Sequence, residues 1–212
     1  MGSGIGSGVG DASALASLRV LVVDDHPVNR AFLRALLRHR VARMVLVDSG
    51  AQAIAACRKE RFDVVLLDLH MPDVDGFSTW EALRREPEPP IAIALTADAR
   101  DASRKRAEDA GFGGYLEKPA TPDVLLDTLV RVAGGQRVFE RPLPAGGMAP
   151  LLDDRHGLDA LGTRDRLDTL RAAFADELAD GLAPLEQALI DGRLDRVREC
   201  LHQWVGAGGY VG

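Results

Sequence analysis

Val64-Val65-Leu66-Leu67-Asp68-Leu69-His70-Met71-Pro72-Asp73-Val74-Asp75-Gly76 is an apolar run of strand length that ends on a carboxylate and then breaks into a turn. Working outward, three other runs also end on chemistry. Val20-Leu21-Val22-Val23 ends on Asp24-Asp25, Ile91 to Leu95 ends on Thr96-Ala97, and Tyr115-Leu116-Glu117 ends on Lys118-Pro119. Short runs rich in Val, Ile and Leu are what strands covered on both faces require. The pattern predicts strands near 19–23, 44–47, 63–67, 91–95 and 114–117. Helical spacing fills 27–40, 50–60, 77–85, 99–110 and 122–133. Thr121 reads as the cap of the last helix with Pro122 at its first position, and Gly111 as the stop of the fourth. Alternating strands and helices imply an α/β fold, a parallel sheet with helices on both faces.

In such a sheet ligands collect beyond the carboxyl ends of the strands. Those ends carry Asp24, Asp25, Asp68, the Thr96 hydroxyl and the Lys118 ammonium. Three carboxylates in one crevice repel each other, so a cation is needed to keep them ionised. Taken alone, Asp24-Asp25 or Asp68 reads as a helix cap, Thr96 as an ordinary strand end and Lys118 as a solvated charge. Four hits in order, each at a strand end, argue for a site.

Composition narrows the classes. The chain has 212 residues, 46% hydrophobic and 27% charged, ordinary for a soluble protein. Its net charge is −6, and residues 151–212 hold seven Arg/Lys against twelve Asp/Glu, which argues against nucleic-acid binding. Cys57 and Cys200 lack paired spacing, which fits a reducing compartment. No apolar run approaches the ~20 residues of a membrane span, and no signal-peptide pattern opens the chain; the expectation is a cytoplasmic protein without membrane contact. Residues 1–17, rich in Gly, Ser and Ala, read as a flexible linker or tail, and 134–150, rich in Gly and Pro, as an interdomain linker. Beyond it Leu167, Leu170, Phe174, Leu178, Leu182, Leu185 and Leu189 step by three or four along one helix, which Gly181 and Pro184 are expected to kink or split. After Asp191-Gly192 a second stripe runs Leu194, Val197, Leu201, Trp204.

The motifs Asp-Asp, Asp-x-x-Met-Pro-x-x-Asp-Gly, Thr-Ala and Lys-Pro resemble the receiver domain of two-component response regulators over residues 18–133. The resemblance implies a doubly wound, flavodoxin-like five-stranded parallel sheet of order 2-1-3-4-5. It implies that Asp68 accepts a phosphoryl group and that Mg2+ is held by Asp25 and Asp68, with Asp24 through water and the backbone carbonyl of His70. Lys118 and Thr96 would contact phosphoryl oxygens, and Pro119 would follow a cis bond. Tyr115 would be a rotamer switch coupled to Thr96; its other reading is an aromatic that simply packs. Asn29 resembles receivers attached to hybrid sensor histidine kinases.

Residues 198–212 resemble part of a histidine phosphotransfer domain, with His202, Gly206 and Gly212 matching its pattern and Val205 standing where that family has Lys. The expectation is that 151–212 is a partial histidine phosphotransfer-like bundle lacking its final helix, below the ~70–80 residues that usually support a core. The implied function is phosphorelay signalling: a sensor histidine kinase or other phosphohistidine donor domain passes phosphate to Asp68, with onward transfer to His202 and to a downstream receiver or phosphotransfer protein. The implied catalysis is the receiver's own phosphorylation and dephosphorylation, in a fragment of a hybrid histidine kinase. The alternative is a stand-alone receiver, a binding switch or phosphate sink whose C-terminal helices form a homodimer.

Overall fold

The structure, a computed structural model, describes residues 8–72, 75–98, 100–139, 158, 162–194, 196–197, 200–201 and 204. In chain order the elements are α1 Gly8–Ser17, β1 Arg19–Val23, α2 Pro27–Leu37, β2 Arg43–Val47, α3 Gly50–Lys59, β3 Val64–Asp68, α4 Gly76–Leu83 and β4 Ile91–Thr96. Then follow α5 Asp101–Asp109, β5 Gly114–Glu117, α6 Pro122–Ala133 and α7 Arg164–Ile190. The five strands form one parallel sheet of order β2-β1-β3-β4-β5. All five lie where the apolar runs predict them, within one residue.

Alternation along the strands divides the core into two layers. Val20, Val22, Val64, Leu66, Ile93, Leu95 and Leu116 point to the side covered by α2 and α6, where Phe32, Leu33, Leu36, Leu125 and Leu129 meet them. Leu21, Val23, Val65, Leu67, Ala92, Ala94 and Tyr115 point to the other, with Ala53, Trp80, Leu83, Ala107 and Phe112 from α3, α4 and the α5–β5 region. Both faces of β3 are covered, and all five of its residues are buried. This is why it reads as an unbroken apolar run.

Thr121 caps α6 by accepting from the Val124 N–H, and Gly111 ends the α5 region at φ +87°, both as expected. Asp24 and Asp68 cap nothing; the N-cap of α2 is His26, and α4 is capped by Asp75, which accepts from the Ser78 N–H at 2.7 Å.

Three expectations need correction. Gly8–Ser17 of the expected 1–17 linker is helical, and Leu15 and Leu18 are buried in the core beside α6. Two leucines at an i, i+3 spacing supply the anchor that the Gly/Ser composition concealed. The expected 134–150 linker also begins later. Val138 is buried, bridges Gly114 and accepts from the Tyr115 N–H, so the folded unit continues to Phe139. Third, α7 is not split at Gly181 or Pro184: it is one helix with Pro184 inside. Its first turns seat Leu167 and Leu170 in the α2 layer of the core, with Phe174 partly buried against them. Gly192, at φ +68°, ends the helix region, and the Trp204 ring returns to lie over Gly181, where a Cβ would come 2.5 Å from it. Among the described residues no helix is long and apolar enough to cross a membrane.

Gly76 fixes how closely α4 approaches β3. A Cβ there would stand 2.2 Å from the Asp68 carbonyl oxygen and 2.7 Å from the Leu69 Cα, both backbone atoms that cannot step aside. Gly111 is needed only for its positive φ, since a Cβ there meets nothing within 4 Å. Gly76→Ala should therefore lower unfolding free energy by about 2–4 kcal/mol and Gly111→Ala by about 1 kcal/mol. Urea denaturation followed by circular dichroism checks the order, and equal losses would contradict it.

Candidate functional site

β1 and β3 are neighbours, and from β1 the chain goes to one side of the sheet for β2 and to the other for β3 and β4. The carboxyl ends of these two strands therefore flank the point where the winding reverses, the usual ligand crevice of such sheets. Register brings the predicted residues together: Val23 pairs with Leu67, Asp68 with Leu95, and Thr96 with Glu117. Asp24, Asp25 and Asp68 offer carboxylate oxygens that all lie within 4.8 Å of one another.

Each carboxylate is held differently. Asp24 is fully buried, and its Oδ1 accepts from the His26 N–H at 2.9 Å, while Asn29 Nδ2 lies 3.2 and 3.1 Å from its two oxygens. Asp68 is 6% exposed, and its Oδ1 accepts from the His70 N–H at 3.0 Å. Lys118 Nζ donates at 2.7 Å to Oδ2 of both Asp24 and Asp68. The Lys118–Pro119 bond is cis, and the Lys118 N–H donates to the Thr96 carbonyl at 2.7 Å, tying β5 to β4 where the ammonium must enter.

Electrostatics follow from this crowding. Burial, then Asp68 and Asp24, push the Asp25 carboxyl up to about 6. Burial also raises Asp68 to about 6; the Lys118 charge opposes the shift and Asp24 reinforces it. Three carboxyl groups, two of which, Asp25 and Asp68, resist ionisation, offer only hard oxygen donors and fit a divalent cation such as Mg2+.

The Thr96 hydroxyl accepts from the Asp98 N–H at 3.0 Å and lies 3.2 Å from His70 Nδ1. The His70 imidazole thus holds the hydroxyl, and burial keeps its pKa below the usual value. Tyr115 is 2% exposed and turned inward, its hydroxyl donating to the Asp98 carbonyl. The Arg104 guanidinium lies 5.6 Å from the ring centroid and bonds Glu117 at 2.5 Å. Asp98 is held well below the usual carboxylate range, chiefly by its hydrogen bond from Arg100. His202 lies outside the described residues.

Sequence reasoning gave no site role to His26 and Asp98, and read Asn29 only as a resemblance. The spacing of Asn29, five residues after Asp24 on the first turn of α2, is the signal that could have found it.

Comparison with known proteins agrees with this geometry. The family model "Response regulator receiver domain" matches residues 20–130. The signal transduction histidine-protein kinase BarA of Escherichia coli K12 is 29% identical over 214 residues, covering 96% of this chain and 23% of BarA. The chain thus spans about a quarter of that relative's length. Among solved structures, Vibrio cholerae chemotaxis protein CheY4 superposes with TM-score 0.53 at 31% identity, covering 55% of this chain and 99% of CheY4. The receiver domain of sensor histidine kinase PA1611 from Pseudomonas aeruginosa PAO1 gives 0.50 at 34% identity, covering 56% of this chain and 99% of that domain. That structure has a magnesium ion coordinated in its active-site cleft.

The raised Asp25 pKa sets a pH-dependent test. The folded state binds this proton more tightly than the unfolded chain, so stability falls as pH rises from the ordinary value of 3.8 to about 6, and the penalty is full above that. Without metal, Asp25→Asn should stabilise the protein at pH 7.5, by about 1 kcal/mol once partial exposure is allowed for, and should change little at pH 4. Thermal melts at the two pH values check it. A destabilised variant at pH 7.5 would show that Asp25 is not under repulsion.

Proposed function

The chain belongs to the response regulator receiver family over residues 20–130, and on that premise we propose that Asp68 is its phosphoacceptor in a phosphorelay. The observation that carries the reading is the Lys118 ammonium, 2.7 Å from both Asp68 and Asp24, beside a third carboxylate. Asp25 and Asp68, with Asp24 through water and the His70 carbonyl, would hold Mg2+, which would supply the positive charge that lets an anionic phosphoryl group approach. An Asp68 carboxylate oxygen attacks phosphorus; the new O–P bond forms as the N–P bond of a donor phosphohistidine breaks, and its electron pair stays on the imidazole nitrogen. Lys118 turns from the carboxylates to a phosphoryl oxygen, and the Thr96 hydroxyl leaves His70 to donate to another. That departure vacates space beside Thr96, which is how Tyr115 would sense the phosphorylated state.

The donor is a phosphohistidine domain of a sensor histidine kinase, consistent with likeness to BarA over nearly the whole chain. In this reading residues 151–212 are a histidine phosphotransfer-like segment with His202 as the onward acceptor, working in the cytoplasm. A second reading, a receiver switch with a dimerising tail, is supported by the exposed apolar side chains Leu182, Leu189, Ile190, Leu194 and Leu201 at 46–78% exposure. Light scattering on the full chain, beside a phosphotransfer time course, separates the two.

Acetyl phosphate with Mg2+ should add one base-labile acyl phosphate by intact mass, and Asp68→Asn should abolish it. Unchanged modification of that variant would refute the assignment. Lys118→Ala should still be phosphorylated, at a rate reduced about 10-fold or more, without the change in hydrogen exchange of β5 that accompanies phosphorylation of the wild type. Normal switching in that variant would remove Lys118 from the proposal.

A further inference from the structure

The N-terminal half of α7 is packed along α2, and α2 begins at the rim of the acid crevice. Leu167 is fully buried and Leu170 nearly so, in the same core layer as Val28 and Phe32 of α2. Phe174 packs against that layer, and one turn on, Glu177 Oε1 hydrogen-bonds His26 Nε2. His26 is the N-cap of α2, follows Asp25 directly, and holds Asp24 through its own N–H. After Arg171, α7 carries Asp176, Glu177, Asp180 and Glu186 and no Lys or Arg. Beside three carboxylates the helix therefore adds both bulk and negative charge.

We propose that α7, seated on α2 and latched by Glu177 to His26, selects the phosphodonor: it admits a small phosphodonor to Asp68 and hinders a folded phosphohistidine domain. This rests on the reading of Asp68 as phosphoacceptor. Asp68 is 6% exposed, so an imidazole phosphate anchored on a folded domain reaches it only if that domain sets its own surface against the rim. On the α2 side that rim is in part covered by α7, whose Glu177 meets His26. A small anion needs only the opening above the carboxylates. A protein donor must capture the fraction of molecules in which α7 is undocked, and its apparent affinity falls by that fraction. The acidic half of α7 also repels a phosphorylated partner during approach.

The test uses the full chain as wild type, as Glu177→Gln, and as Leu167→Asp combined with Leu170→Asp. Each is phosphorylated either by acetyl phosphate with Mg2+ or by a phosphorylated bacterial histidine phosphotransfer domain. The double variant should be labelled by the protein donor about 10-fold faster than wild type, and Glu177→Gln about 3-fold faster, while acetyl phosphate labelling stays within about 2-fold. Equal rates from the protein donor across the three proteins, including no labelling in any, overturn the proposal. Should the double variant lose acetyl phosphate labelling through misfolding, Glu177→Gln decides: a rise supports the latch, and its absence overturns it. Wild type that takes no phosphate from acetyl phosphate would instead remove the Asp68 reading itself.

Discussion

The Lys118 ammonium is the only described cation bonded to Asp24 and Asp68 at once, 2.7 Å from each. Two like charges about 4 Å apart at an effective dielectric near 20 repel by roughly 4 kcal/mol, so the crevice could not hold its carboxylates ionised without a counter-charge between them. This pairing constrains the sheet. β1, β3 and β5 must end level, and the register that pairs Asp68 with Leu95 and Thr96 with Glu117 does this. Backbone donors complete the neutralisation: the His26 N–H on Asp24 and the His70 N–H on Asp68. The balance still leaves Asp25 and Asp68 raised to about 6. The site is folded but short of positive charge, which is the state a cation-dependent acceptor of anions requires.

Thr96, Asp98 and Tyr115 extend that arrangement outward. The Thr96 hydroxyl is engaged by His70 and Asp98, and the Asp98 carbonyl accepts from Tyr115. Any ligand that draws Thr96 toward the carboxylates therefore pulls on a chain of contacts leading to the α5 side, where Arg104 bridges the Tyr115 ring and Glu117.

The sheet and the central acids were legible because burial on both faces leaves a strong mark: β3 is apolar at Val64, Val65, Leu66 and Leu67, and the acids stand out together because they close runs of this kind. Lys118 and Thr96 were legible by position for the same reason. What the residues did not disclose depends on contacts between distant segments. The anchoring of α1 rests on Leu15 and Leu18 against α6, and nothing local distinguishes two leucines in a Gly/Ser/Ala stretch from a tail. Val138 reads as linker because its bridge is to Gly114, which only the fold brings near. The meeting of His26 with Glu177 spans 151 residues and leaves no periodic trace at either end. Pro184 misled in the opposite direction: a proline signals a break, yet α7 runs through it.

The geometry of α7 has a mechanical side. At 1.5 Å per residue its 27 residues measure about 40 Å, and the seated part, Leu167 to Glu177, accounts for roughly 15 Å of that. The stretch beyond, with Leu182, Leu189 and Ile190 exposed, is a lever whose fulcrum is the contact with α2. A tilt of about 10° at the fulcrum displaces a tip roughly 20 Å away by about 3–4 Å. A rotation of that size of α7 on α2 would thus move the far end by about the width of an atom.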